Sequence, residues 1–262
     1  MKKSSILVIL LSGIFSLPIM AKQITTVLFD VEAIFESDGM RASSYIGKLN
    51  ALHYIASTGH KPNQAELFKQ LKGVKALSTK HTYNNGLEMP LILADWLSQK
   101  QNNSEIKDAI QKHLLNKNLP DIEVKVLMAC VSMMLTPQHL ADVQKVRQKM
   151  DTIVKALRQK GYKVYLVGNW AHINSLKQKF GDIFKYFNGT LVSGDNHLLK
   201  PYKEYYESVL EEGDINESQA IWIETEQKFA SKAKQYGYNV ILTSDKTYTS
   251  IISGLQNFGI AI

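Results

Sequence analysis

Residues 220–242 read AIWIETEQKFASKAKQYGYNVIL, and this stretch decides the fold. Its two apolar runs, 220–223 and 239–242, have the length of buried strands, and the segment 226–236 between them has the spacing of a helix. A strand, a crossover helix and a second strand form a right-handed parallel unit. The alternation extends in both directions, with strands at 163–167 and 190–192 and helices at 171–180, 202–211 and 247–257. The sequence therefore predicts an α/β protein with a doubly wound parallel sheet.

The first strand of this core is predicted far upstream, where residues 24–29 (ITTVLF) form an apolar run that ends at Asp30. Helical patterns fill the segment that follows: Tyr45, Leu49, Leu52 and Ile55 at helical spacing, then 64–71, 87–97, 106–115 and 121–135. We therefore expect a core made of 22–40 and 136–262, with an all-helical cap at 41–135 inserted after the first strand.

A long helix is predicted where the chain returns from the cap to the core. Thr136 suits its N-cap and Pro137 its first turn. One apolar stripe follows from Leu140 to Leu157, and Gly161 suits the end of the helix.

The first 21 residues have the pattern of a secretory signal peptide. Lys2 and Lys3 precede an apolar run over 6–17, and Ala21 offers a small residue for cleavage. The run is short for a membrane span, which needs about 20 residues. We expect an exported protein, periplasmic or secreted, with no membrane association once the signal is removed. An uncleaved N-terminal anchor or a buried strand is the alternative.

Composition narrows the class of protein. The chain has 262 residues, 45% of them hydrophobic and 21% charged, which is ordinary for a globular protein and excludes a disordered chain. A single cysteine, Cys130, excludes a disulfide framework and lies in an apolar stretch typical of an inert buried thiol. The formal net charge is +7, but only three basic residues are arginine and the lysines are dispersed. This pattern favours a solvated surface over nucleic-acid binding.

Polar side chains follow the predicted strands at the edge where open α/β sheets bind ligands. They are Asp30 with Glu32, Gly168 with Asn169, the segment 193–200 that ends at Lys200, and Glu224 with Thr225. Two acids and a lysine in one crevice suit phosphoryl transfer, with an aspartate as nucleophile, carboxylates holding Mg²⁺ and a lysine adding positive charge. Each residue also has a structural interpretation as a turn, a cap or an ion-pair residue. Their joint order is what indicates function.

The same order resembles the haloacid dehalogenase-like (HAD) hydrolase superfamily, in its phosphatase-like branch. Residues 27–35 (VLFDVEAIF) are similar to the first motif of that family, and 165–169 (YLVGN) to the second. The third motif resembles 193–201 (SGDNHLLKP), and the fourth resembles 220–225 (AIWIET). The resemblance covers the first strand and all of 140–262, whereas the cap matches only in its placement.

The resemblance implies a role for each of these residues. Asp30 would be the nucleophile, Glu32 the general acid/base and Lys200 the charge clamp. Gly168 and Asn169 would bind the phosphoryl group, the former through its backbone N–H. Mg²⁺ would be held by Asp30, the backbone carbonyl of Glu32 and Glu224.

Five positions depart from the family pattern. Glu32 replaces Asp, Ala33 replaces Gly, Gly168 replaces Ser or Thr, and Glu224 with Thr225 replaces an Asp pair. The last change predicts a weak or lost Mg²⁺ site, because magnesium demands near-ideal geometry.

Two function hypotheses follow. The first is an exported Mg²⁺-dependent phosphatase that hydrolyses a small phosphorylated substrate through an aspartyl-phosphate at Asp30. The second is a catalytically impaired relative that keeps the fold and acts as a binding or interaction protein. A receiver-like phosphoacceptor domain is a third reading, which the helical insertion disfavours. For His172 and His197, near the crevice, we expect supporting or surface roles.

Overall fold

The structure, a computed structural model, describes residues 23–59, 61–75 and 89–262. Its strands are β1 (Thr26–Asp30), β2 (Phe35–Ser37), β3 (Gln144–Val146), β4 (Lys163–Gly168), β5 (Gly189–Val192), β6 (Ala220–Glu224) and β7 (Asn239–Leu242). Its helices up to the end of the predicted cap are α1 (Val31–Ile34), α2 (Gly39–Ile46), α3 (Lys48–Thr58), α4 (Gln64–Leu71), α5 (Leu91–Leu97), α6 (Asn103–Leu115) and α7 (Asp121–Leu135). The later helices are α8 (Pro137–Asp142), α9 (Met150–Gln159), α10 (Ile173–Lys179), α11 (Gly181–Phe184), α12 (Ser193–Asn196), α13 (Lys203–Gly213), α14 (Gln227–Gln235) and α15 (Tyr248–Asn257).

Five strands form the parallel sheet, in the order β5-β4-β1-β6-β7, which confirms the predicted doubly wound α/β core. β1 is central, and all five of its residues are buried. Alternate residues of β1 enter different apolar clusters: Phe29 packs in one with Ile153 and Ile221, and Leu28 in another with Tyr205 and Trp222. Helices thus cover both faces of the sheet, and the polar residues of the strand ends are left at its carboxyl edge.

The predicted long helix from Pro137 to Gly161 is wrong. α8 ends at Asp142, and the chain runs extended as β3 before α9 begins at Met150. β3 pairs antiparallel with β2, with Phe35 opposite Val146. The Lys179 ammonium caps the end of α8 by donating to the carbonyls of Ala141 (3.0 Å) and Asp142 (2.6 Å). Pairing between residues distant in sequence therefore overrides the local helical stripe.

The described residues between β2 and α8 are mainly helical, and they contribute to a second apolar cluster that includes Leu71, Ile106, Ile110 and Leu127. The helix at 121–135 is confirmed, whereas the one predicted at 87–97 begins at Leu91, with 87–88 outside the described residues.

The helical repeat predicted from Tyr45 to Ile55 is interrupted. Gly47 has φ +85°, a left-handed conformation that separates α2 from α3. Leu49 and Leu52 are exposed, so the apolar repeat there does not mark a core face.

The predicted signal peptide at 1–21 lies outside the described residues. Within the described ranges, every helix is too short or too polar to cross a bilayer. Cys130 is half-buried in α7, and burial raises the pKa of its thiol to about 11, which fits the inert thiol expected from its apolar neighbours.

Candidate active site

The fold brings Asp30, Lys200 and Glu224 together at the carboxyl edge of the sheet. Asp30 ends β1 and Glu224 ends the adjacent strand β6, while Lys200 comes from the segment between α12 and α13. The Lys200 ammonium forms ion pairs with Asp30 Oδ2 and with Glu224 Oε2, the latter at 2.7 Å. The three residues are only 4%, 2% and 1% exposed, so the charges face one another away from water.

Backbone groups and one amide fix the three charged side chains. Asp30 Oδ1 accepts the N–H of Glu32 at 2.8 Å, and Glu224 Oε1 accepts the N–H of Thr225 at 2.7 Å. The Asn169 side chain makes two hydrogen bonds to the backbone of Lys200: its Oδ1 accepts the Lys200 N–H (2.9 Å), and its Nδ2 donates to the Lys200 carbonyl (3.1 Å). Asn169, predicted to bind phosphate, is therefore engaged in positioning the lysine.

The balance of charge in the cluster is one cation to two carboxylates. Burial, and then the neighbouring Glu224 carboxylate, raises the pKa of Asp30 to about 7, although the ammonium of Lys200 opposes the shift. Burial disfavours the charged form of Lys200, but Asp30 and Glu224 outweigh it and hold its pKa well above the usual range. Lys200 thus stays an ammonium while Asp30 titrates near neutrality.

Gly168 lies against the nucleophile candidate, and its geometry explains why glycine stands there. Its φ is +135°, and a Cβ at this position would lie 2.8 Å from Asp30 Oδ2. The N–H of Gly168 donates to the hydroxyl of Tyr205 at 2.6 Å, and that hydroxyl donates to the carbonyl of Leu191 at 2.7 Å. The N–H that was expected to serve a phosphoryl oxygen therefore already has an acceptor.

Glu32 is not gathered into the cluster. Its carboxylate is half-exposed and pairs with Lys246, in the loop after β7, at 2.5 Å. Its backbone carbonyl, predicted as a metal ligand, accepts a hydrogen bond from Arg147 Nε at 2.9 Å. To act on a substrate at Asp30, the Glu32 carboxyl would first have to leave Lys246.

The residues present do not fit a magnesium ion. In the described part of the chain, no three His, Cys, Asp or Glu side chains are grouped as metal ligands. The position between Asp30 and Glu224 is taken by the ammonium of Lys200, and the third predicted ligand is taken by Arg147. Mg²⁺ needs an octahedron of oxygen ligands, whereas these oxygens already accept N–H donors.

Both histidines near the crevice bind the cap. Nδ1 of His197 lies 2.7 Å from the carbonyl of Ser98, and Nε2 of His172 lies 3.1 Å from Nδ2 of Asn103. The hydroxyl of Ser193 donates to the carbonyl of Leu97 at 2.8 Å. These contacts join the loops after β4 and β5 to the region of α5 and α6, which is the supporting role expected of the histidines.

Three residues of the site were not anticipated: Arg147, Tyr205 and Lys246. Arg147 is one of only three arginines in a lysine-rich chain, and that rarity is the one sequence signal that singles it out. Tyr205 lies within α13 and Lys246 in the loop after β7, so only the folded chain shows what their side chains contact.

The similarity of this chain to known proteins lies in its structure. No protein-family model matches the chain, and no curated protein matches its sequence. Solved structures do match. A HAD family enzyme from Bacteroides thetaiotaomicron is 16% identical with a TM-score of 0.56, and the match covers 88% of this chain and 98% of that chain.

Two further structures show ligands. The same Bacteroides enzyme in complex with magnesium and inorganic phosphate has a TM-score of 0.55 at 16% identity, over 87% of this chain and 98% of that chain. An L-2-haloacid dehalogenase from Xanthobacter autotrophicus with chloropropionic acid covalently bound has a TM-score of 0.50 at 16% identity, over 92% of this chain and 85% of that chain. The chain therefore has the fold of the haloacid dehalogenase-like hydrolases, as its motifs predict.

Proposed function

We propose that this chain is a phosphatase-type hydrolase that acts on a small phosphorylated substrate through Asp30. The observation that carries the proposal is the buried cluster in which one ammonium, that of Lys200, orients the carboxylate of Asp30 at the ligand-binding edge of the sheet. The Bacteroides enzyme of the same fold holds inorganic phosphate, which supports this substrate class. The magnesium part of the sequence prediction is not carried over, because the residues do not fit the ion.

The chemistry assigned to these residues has two steps. In the first, an Asp30 oxygen attacks phosphorus, an aspartyl-phosphate forms and the bond to the leaving-group oxygen breaks. The leaving oxygen takes a proton from the Glu32 carboxyl, once that side chain has turned away from Lys246. In the second step, water attacks the phosphorus and gives a proton to Glu32. The bond between phosphorus and the Asp30 oxygen breaks, phosphate leaves and the Asp30 carboxylate is restored.

Lys200 provides the positive charge in this scheme. Its ammonium touches Asp30 and so lies beside the phosphoryl group as negative charge builds up on the oxygens. Asn169 keeps that ammonium in place through the backbone of Lys200. With a single ammonium in place of a divalent ion, we expect turnover to be slow.

The test is hydrolysis of an aryl phosphate by the purified chain, compared with Asp30→Asn and with a surface control, Asp182→Asn. Asp182 is a fully exposed acid that pairs with Lys185 and makes no contact with Asp30, Lys200 or Glu224. We expect the first substitution to abolish turnover and the second to leave it unchanged. A phosphoryl adduct on the peptide that contains Asp30, found by mass spectrometry after acid quench, would identify the intermediate. Activity that survives in Asp30→Asn would refute the assignment.

A second candidate function, a catalytically impaired binding protein, is favoured by a different observation. The N–H of Gly168 and both polar groups of Asn169 are already hydrogen-bonded within the protein, so less remains to bind a phosphoryl group. A folded wild-type protein that turns over neither an aryl phosphate nor a 2-haloacid would support this candidate. Turnover of the haloacid alone, lost in Asp30→Asn, would instead indicate displacement at carbon.

A further inference from the structure

Arg147 holds a fixed place beside the candidate site. Its backbone N–H donates to the carbonyl of Ile34 at 2.9 Å, next to the paired residues of β2 and β3. Its guanidinium reaches in two directions, from Nε to the Glu32 carbonyl (2.9 Å) and from Nη1 to Glu36 Oε2 (2.7 Å). The side chain is only 18% exposed. The guanidinium is therefore built into the backbone turn that follows Asp30.

Lys200 is likewise held beside the site, between the carboxylates of Asp30 and Glu224. Its ammonium binds Asp30 Oδ2 and Glu224 Oε2, and its charge lies over the ring of Phe229. Together the two cationic side chains contact Asp30, the Glu32 carbonyl and Glu224. These are the three groups that the sequence motifs assign to a metal ion.

We propose that this chain binds no divalent cation at its strand ends, because the Lys200 ammonium and the Arg147 guanidinium occupy the oxygens that would hold one. A metal ion would have to displace a buried ammonium from two carboxylates and a guanidinium from a carbonyl. Thr225 supplies no second carboxylate beside Glu224, so no additional metal ligand offsets the loss of those contacts. The inference stands apart from the proposed turnover, because cation uptake is measured on the folded protein without substrate.

The test is titration of the purified wild-type chain with MgCl₂ by calorimetry, with thermal unfolding in millimolar Mg²⁺ and in EDTA as the second readout. We expect no saturable heat and a midpoint shift below about 1 °C. Saturable, stoichiometric Mg²⁺ binding that Asp30→Asn removes would overturn the inference. This wild-type experiment requires no variant to fold.

A double variant tests whether the Lys200 and Arg147 cations are what prevents Mg²⁺ binding. Lys200→Met with Arg147→Met leaves two carboxylates and a carbonyl without their cationic partners. We expect increasing Mg²⁺ concentrations to raise the unfolding midpoint of this variant. The shift should reach about 5 °C or more where the concentration is ~100 times the Kd. The control is Lys203→Met with Arg158→Met: Lys203 pairs with Glu207 on the surface, and Arg158 binds the Tyr162 carbonyl. A folded double variant as insensitive to Mg²⁺ as this control would overturn the role given to the two cations.

Discussion

Replacement of Lys200 by methionine is the perturbation that probes the site most directly. Lys200 is 2% exposed and neutralises two carboxylates that are themselves buried, Asp30 and Glu224. Methionine fills most of the volume of the lysine stem but removes the charge. Removal of one partner from a buried ion pair typically costs 3–5 kcal/mol, so we expect Lys200→Met to lower the free energy of unfolding by about 3–5 kcal/mol near neutral pH.

The destabilisation should also depend on pH. Burial and Glu224 raise the pKa of Asp30 to about 7, and loss of the opposing ammonium raises it further. A carboxyl whose pKa is raised on folding contributes stability that is present at low pH and lost as pH rises through the raised pKa. Lys200→Met should therefore be closest to the wild type near about pH 5 and furthest from it near about pH 8.

Urea unfolding followed by circular dichroism measures both effects. The control is Lys203→Met, three residues away, because the Lys203 side chain is 63% exposed and its ammonium pairs with Glu207. A surface pair of this kind contributes little to stability, because solvent screens it. If Lys200→Met loses no more stability than Lys203→Met, or loses the same amount at both pH values, the buried cluster described above is refuted.

Three further outcomes are expected. Gly168→Ser should lower the free energy of unfolding by about 1–3 kcal/mol more than Gly161→Ser in denaturant titrations, because both glycines have positive φ but only a Cβ at 168 meets Asp30. Tyr205→Phe should cost about 1–3 kcal/mol in the same measurement, since it leaves the buried N–H of Gly168 without its acceptor; an unchanged unfolding midpoint would contradict that role. The kcat/KM for an aryl phosphate should rise as pH increases through about 7, because the pKa of Asp30 is near 7 and only the ionised carboxylate attacks; a pH profile that falls over this range would show that another group governs the rate.

The parallel sheet was predictable because each of its strands is a short apolar run, and each later strand follows a helical segment. β6 and β7 are predicted to within one residue by this pattern alone. The prediction of a long helix after Pro137 was wrong because the pairing there is not local. The apolar residues of 143–146 serve a strand that pairs with β2, more than a hundred positions earlier, and no local period reveals such a partner.

In the candidate site, too, some features could be predicted from the sequence and others could not. Asp30 and Glu224 lie at strand ends, so neighbouring strands bring them together, and Lys200 joins them. Where a side chain points could not be predicted. Glu32 turns outward to Lys246 and Asn169 turns to the backbone of Lys200, because each finds a charged or hydrogen-bonding partner contributed by another loop. Such partners are set by the packing of several loops at one edge of the sheet.

The short antiparallel pair of β2 and β3 has a consequence for the architecture as a whole. Ser37 lies directly opposite Gln144, so the chain leaves the sheet domain and returns to it at adjacent points. Two residues in a tight reverse turn are enough to join antiparallel strands that face each other in this way. The intervening residues thus enter and leave the sheet domain through one pair of strands, and an Asn-Gly turn that joins Ser37 to Gln144 is a starting point for engineering a shortened form of this fold.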